Sequence, residues 1–110
     1  MQIKWSKAVR HRYNYKSFLS GQKVDLKKGI LLHAHHLFAS AAFPEKATDV
    51  TNGVLVTEQE HDHFHRLYGV AGTPDQFKQF AKDFYGITEF PWEVPGYRVE
   101  IEQILATGAS

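Results

Sequence analysis

The sequence predicts a small α+β domain, and three observations carry that prediction. "GILLHAHHLF" begins as an apolar, β-prone run, and "NGVLVT" is a second such run entered through Asn-Gly. "TEQEHDHFHRLYG" and "TPDQFKQFAKDFY" each open on a threonine suited to cap a helix. The chain has 110 residues, enough for one domain with a modest core. Its 43% hydrophobic and 14% aromatic content argues against disorder.

In order along the chain, "IKWSKAVRHR" places Trp5, Ala8, Val9 and Arg12 at helical spacing with basic residues between them. This predicts a short basic amphipathic helix over residues 3–12. A turn follows at Ser20-Gly21. The first strand is expected over Ile30 to His35. "ASAAFPEKATDVT" is a loop or an irregular helix containing Pro44, and the second strand follows it. The next helix starts at Thr57, with Glu60 three residues on as in a capping box and Gly69 near its end. Over residues 73–85, Thr73 caps, Pro74 suits the first turn, and Asp75 complements the helix dipole. Phe77, Phe80, Ala81 and Phe84 form its apolar face, which is expected to pack in the core. Gly86, Pro91, Pro95 and Gly96 mark residues 86–98 as an extended connector. "YRVEIEQILA" reads either as a strand, by its Val99/Ile101 alternation, or as a short helix.

Zero cysteines exclude disulfides and thiolate metal sites, and fit a cytoplasmic protein. No apolar run approaches the roughly 20 residues that span a membrane. The N-terminus lacks the apolar stretch of a secretory signal. A soluble chain with no membrane partner is therefore expected. The net charge of +1 hides an asymmetry. Lys4, Lys7, Arg10, Arg12, Lys16, Lys23, Lys27 and Lys28 face one acid, Asp25, in the first 28 residues. Such a segment is either a solvated face or a surface for phosphates.

Six of the seven histidines fall in two triplets, His33, His35 and His36, then His61, His63 and His65. His61 and His65 are four apart, so on a helix they share a face, one turn apart, and can bind one metal. A histidine-rich solvated helix satisfies the same spacing. On a strand, His33 and His35 share a face, from which a third ligand can come. The adjacent histidine would stay free as a base, a role suited to a group titrating near neutrality.

Taken together, these residues resemble the HNH endonuclease family. His35-His36, Asn52 sixteen residues later, His61 nine after that, and His65 follow the family's motif, with spacing similar to the colicin DNase branch. "KWSKAVRHRYNYKSFLSG", "LHAHHL", "TNGVLV" and "EHDHFHRLYG" resemble, in order, four segments of phage and free-standing HNH endonucleases. The resemblance covers residues 4–86. It implies a ββα-metal (His-Me finger) core with a basic N-terminal helix and a further C-terminal helix. Residues 1–86 would form the nuclease domain. Residues 87–110 would be an extension that packs on it or mediates homodimerisation.

What the resemblance implies can be stated residue by residue. His36 would be the general base. His35, His61 and His65 would bind one divalent metal, and Asn52 would bond backbone across the loop to orient His36. Lys4, Lys7, Arg10, Arg12 and Arg66 would contact double-stranded DNA through its phosphates. His33 would stand in the second shell or at a phosphate, or be merely exposed. Mg or Mn would support activity, while Zn, Ni or Co would bind the histidine set tightly. The expected function is a DNA endonuclease or nickase of homing type, in a prokaryotic or phage-infected cell. The alternatives are a packaging or defence nuclease needing a partner, and a catalytically silent DNA- or metal-binding module. One departure stands out. Many relatives carry four cysteines around a structural zinc, and the matching positions here are Ser17, Ser20, Thr57 and Glu60. No structural zinc is expected, and Phe18, Leu19, Phe38 and Phe43 would replace it by packing.

Overall fold

A computed structural model describes residues 4–108. Its elements are α1 (Trp5–Arg12), β1 (Leu32–His36), β2 (Gly53–Thr57), α2 (Glu58–Tyr68), α3 (Pro74–Tyr85) and α4 (Tyr97–Gly108), joined by loops and short 3₁₀ turns. The class is α+β, as the sequence predicts. Among the described residues, four helices surround one antiparallel pair of strands. No helix among them is long and apolar enough to cross a membrane.

The strand pair sets the two sides of the molecule. Leu32 lies opposite Thr57, Ala34 opposite Leu55, and His36 opposite Gly53. Side chains alternate across a strand. Leu32, Ala34 and Leu55 accordingly pack with Trp5 and Val9 of α1. Val54 and Val56 face the other way, into a larger core with Phe64, Phe77, Phe80 and Ala81 of α2 and α3. Gly53 is obligatory where α1 crosses β2. A Cβ there would run into Val9 Cγ2 and come within 2.9 Å of the Trp5 ring.

Both capping boxes are present. Thr57 Oγ1 accepts from Glu60 N at 3.1 Å while Glu60 Oε1 accepts from Thr57 N at 2.8 Å. Thr73 and Gln76 repeat the exchange at α3. These local bonds explain why both helix starts fall where the sequence places them.

Several expectations are corrected. β1 begins at Leu32, not Ile30, because Ile30 bonds back to Asp25 in a small hairpin. β2 is entered at Asn52-Gly53 as expected, through a 3₁₀ turn. Asn52 ends a 3₁₀ turn and Gly53 is already extended at φ −110°. Phe84 is half exposed near the end of α3, where its ring packs on Phe80 and His63 at the edge of the core. "YRVEIEQILA" is helical. Tyr97 and Ile101, four apart and both buried, mark its inner face, whereas Val99 is exposed.

The junction between the segment after α1 and the start of α2 is closed by hydrogen bonds. Ser17, Thr57 and Glu60 are all buried. Ser17 Oγ donates to Glu60 Oε1 at 2.5 Å and accepts from Leu19 N at 3.1 Å. Glu60 thus ties the segment after α1 to the start of α2. Leu19 and Phe18 pack here as expected. Phe38 and Phe43 do not. They pack on one another at 5.1 Å between ring centroids, within the loop that joins the strands.

The C-terminal segment packs on the rest. Phe90 and Trp92 join the larger core. On α4, Arg98 bonds Asp49 Oδ2 at 2.7 Å, Glu100 pairs with Arg12 at 3.4 Å, and the Tyr97 hydroxyl meets that of Tyr13 at 3.5 Å.

Candidate active site

β1 and α2 bring the histidine triplets together. His35 projects from β1 between the rings of Phe64 and Phe77, and it is buried. His61 and His65 stand one turn apart on the face of α2 turned toward it. Each of the three offers one nitrogen, and these nitrogens lie within 4.8 Å of one another. His61 Nε2 and His65 Nε2 are 2.9 Å apart. Two nitrogens bound to one ion at about 2.0–2.1 Å, at angles near 90–109°, are roughly 2.9–3.3 Å apart.

Hydrogen bonding orients these rings. His65 Nδ1 lies 2.8 Å from the Gly69 carbonyl. A carbonyl only accepts, so Nδ1 carries the proton and Nε2 keeps its lone pair. His35 Nε2 is buried and has no partner among the described residues. An unpaired buried polar atom costs about 1–3 kcal/mol, and a bound ion relieves that cost.

The electrostatics favour neutral imidazoles. Burial lowers the His35 pKa to about 3, with further lowering by the charges of His61, His65 and His36. Burial likewise takes His61 to about 4, aided by His65 and His33 and opposed by Asp62. Metal ligation needs deprotonated nitrogens, so both groups are ready at neutral pH. Three imidazoles with neutral lone pairs fit a divalent transition ion.

His36 lies on the opposite side of β1 but reaches the same cleft. That cleft has a volume of about 330 Å³ and is lined by His35, His36, His61, His65 and small residues including Ala39 and Ala71. The His36 ring stacks flat on Trp5, with centroids 3.7 Å apart and planes at 0°. Its Nε2 donates to the Ala47 carbonyl at 2.9 Å. The neutral ring therefore keeps its lone pair on Nδ1. Trp5 is itself held, because its Nε1 donates to Asp49 O at 2.8 Å.

Asn52 lies beneath this arrangement, buried. Its Oδ1 accepts from Phe38 N at 2.7 Å, and its Nδ2 donates to Phe38 O and Lys46 O, each at 3.1 Å. It ties the start of the loop from Leu37 to Thr51, at Phe38, to Lys46 farther along, and so positions the Ala47 carbonyl next to Lys46.

The remaining expected residues divide. Lys4 and Lys7 are exposed on α1, and Arg66 is exposed beside His65. Arg10 instead donates to Leu32 O at 3.0 Å. Arg12 is turned inward, with its side chain 17% exposed and its guanidinium over the Tyr97 ring. Those two arginines serve the packing of α1, Arg10 against β1 and Arg12 against α4. His33 lies near Glu58 and His61 at the rim. His63 packs on Phe80 and Phe84. Sequence reasoning missed the carbonyls of Ala47 and Gly69 as orienting groups, and no residue-type signal marks a backbone oxygen. It also missed Trp5 as the support of His36, because Trp5 reads as one more apolar residue of α1.

Comparison of the chain with protein-family models, curated proteins and solved structures found no match.

Proposed function

We propose that this protein is a metal-dependent DNA endonuclease or nickase of the HNH type, with the ββα-metal core formed by β1, β2 and α2. A free-standing homing enzyme of a phage or mobile element is the biological setting we favour. The reading rests on one arrangement: a converging set of three imidazole nitrogens with a separately oriented fourth histidine in the same cleft. A solvated histidine-rich surface has no need to bury His35, or to tie His36 to a carbonyl.

In the proposed reaction, His36 Nδ1 takes the proton of the attacking water. Trp5 and the Ala47 carbonyl prevent the ring from rotating, and Asn52 holds the loop that carries that carbonyl. His35, His61 and His65 would hold one divalent ion. When bound, the ion supplies stabilisation of the negative charge that builds on the phosphate and the leaving oxygen. Lys4, Lys7 and Arg66 would meet phosphates of double-stranded DNA, contacts that give affinity without sequence information. Cleavage would leave 5′-phosphate and 3′-hydroxyl ends.

The test is relaxation of supercoiled plasmid with Mg or Mn. EDTA abolishes nicking by the wild-type protein. His36→Ala slows it by about 10²–10⁴-fold, the usual contribution of a general base. The same variant keeps its affinity for Zn or Co in calorimetry. Undiminished cleavage by His36→Ala would overturn the assignment of the base.

A further inference from the structure

We propose that Glu58 and His33 form a proton-ordered relay that fixes the tautomer of His61 and aims its Nε2 at the metal position. This rests on the metal-binding part of the function proposed above, and extends it to two residues outside the ligand set.

His33 and His35 share a face of β1, with Ala34 between them on the other face. His33 sits opposite Val56, so its ring reaches the first turn of α2. Glu58 is the first residue of that helix. His33 Nε2 lies 3.4 Å from Glu58 Oε2, and His33 Nδ1 lies 3.4 Å from His61 Nδ1. The other nitrogen of His61, Nε2, faces His65. His61 is thus gripped at one ring nitrogen by His33 and presents the second to the cluster.

One arrangement of protons satisfies every contact when His61 Nε2 ligates an ion. A ligating Nε2 must be bare, so His61 carries its proton on Nδ1. That proton needs an acceptor, which makes His33 Nδ1 the lone-pair nitrogen. Neutral His33 then carries its proton on Nε2, where the Glu58 carboxylate can only accept. A carboxylate, a histidine and a ligating histidine in series form an outer shell of the kind that sets ligand orientation and basicity. His65 reaches the same result with the Gly69 carbonyl. The relay gives His61 what a backbone carbonyl gives its neighbour.

A fourth-ligand role for His33 fits less well, since its Nδ1 addresses His61 Nδ1 and not the edge that faces His65. Both relay contacts are long and lie at a half-exposed rim, so His33 is a positioning residue and not a catalytic one.

Two measurements test the relay without relying on turnover. Zinc affinity is read by calorimetry, and the His61 tautomer in zinc-loaded protein is read from ¹⁵N chemical shifts. His33→Ala is expected to weaken zinc binding about 10- to 100-fold, the usual effect of removing such a partner. His33→Gln recovers most of the loss, because its amide oxygen can accept the Nδ1 proton. Glu58→Ala weakens binding in the same direction, and Glu58→Gln less so. The metal-free melting temperature stays near that of the wild type, which separates positioning from misfolding. Wild-type protein that binds no zinc would overturn both the relay and the metal site. Wild-type protein that binds zinc, with His33→Ala unchanged in affinity and tautomer, would overturn the relay alone.

Discussion

Asn52 shows how a single side chain can govern a site it does not enter. All three of its described hydrogen bonds go to backbone of the loop between the strands. Asn52→Ala takes the Asn52 partner from those partly buried groups. It is expected to cost about 2–4 kcal/mol, following about 1–3 kcal/mol for an unsatisfied group. Urea denaturation reads that loss. The clustered histidines make a different prediction. His35 and His61 titrate near 3 and 4 in the fold, against 6.5 for an ordinary histidine. Between those values the unfolded chain binds more protons than the folded one. The stabilising contribution of the neutral rings is therefore full above about pH 6.5. It declines as pH falls below about 6.5 and levels off near 4 for His61 and near 3 for His35. Melting temperatures of metal-free protein across pH 3–8 should trace that decline, and His35→Gln should flatten its lower part.

At the scale of elements, α1 contributes a surface and a support, and its residues separate the two. Lys4 and Lys7 are exposed, whereas Arg10 and Arg12 are tied to protein groups. Replacing Lys4 and Lys7 together with alanine should reduce the salt dependence of DNA binding by about one to two phosphate contacts. Arg12→Ala should chiefly lower stability. Filter binding at several salt concentrations distinguishes them. What the sequence makes legible here follows the range of the interactions. Thr57 with Glu60, Thr73 with Gln76, and His61 with His65 are three or four residues apart, so periodicity and capping chemistry reveal them. The role of Asn52 as a loop staple came only with the resemblance, since its partners Phe38 and Lys46 lie 14 and 6 residues away. The stack of Trp5 on His36, the Trp5–Asp49 bond and the Arg98–Asp49 pair join residues 31 to 49 positions apart. No local pattern encodes them. α4 was ambiguous for a related reason: only tertiary packing decides that Tyr97 and Ile101 turn inward while Val99 does not.

Across the whole molecule, α4 braces the turn that supports Trp5 and, through it, His36. Arg98 bonds Asp49, and the Asp49 carbonyl holds Trp5. Burial pushes the Asp49 carboxyl up, but hydrogen bonds from Arg98 and Thr51 and the Arg98 charge outweigh it, so the group sits below its ordinary value. Arg98 is 62% exposed, so this pair is worth roughly 0–1 kcal/mol. Ile101 is buried, and Ile101→Ala should cost about 2–5 kcal/mol. Apolar burial therefore dominates the attachment of α4, and denaturation should show Ile101→Ala more destabilised than Arg98→Ala. The junction of Ser17, Thr57 and Glu60 carries a last consequence. Hydrogen bonds close it, in a chain without cysteine. Stripping this protein with a chelator should leave it folded, with its circular dichroism retained. Activity should return on adding back Mg or Mn, with no refolding delay.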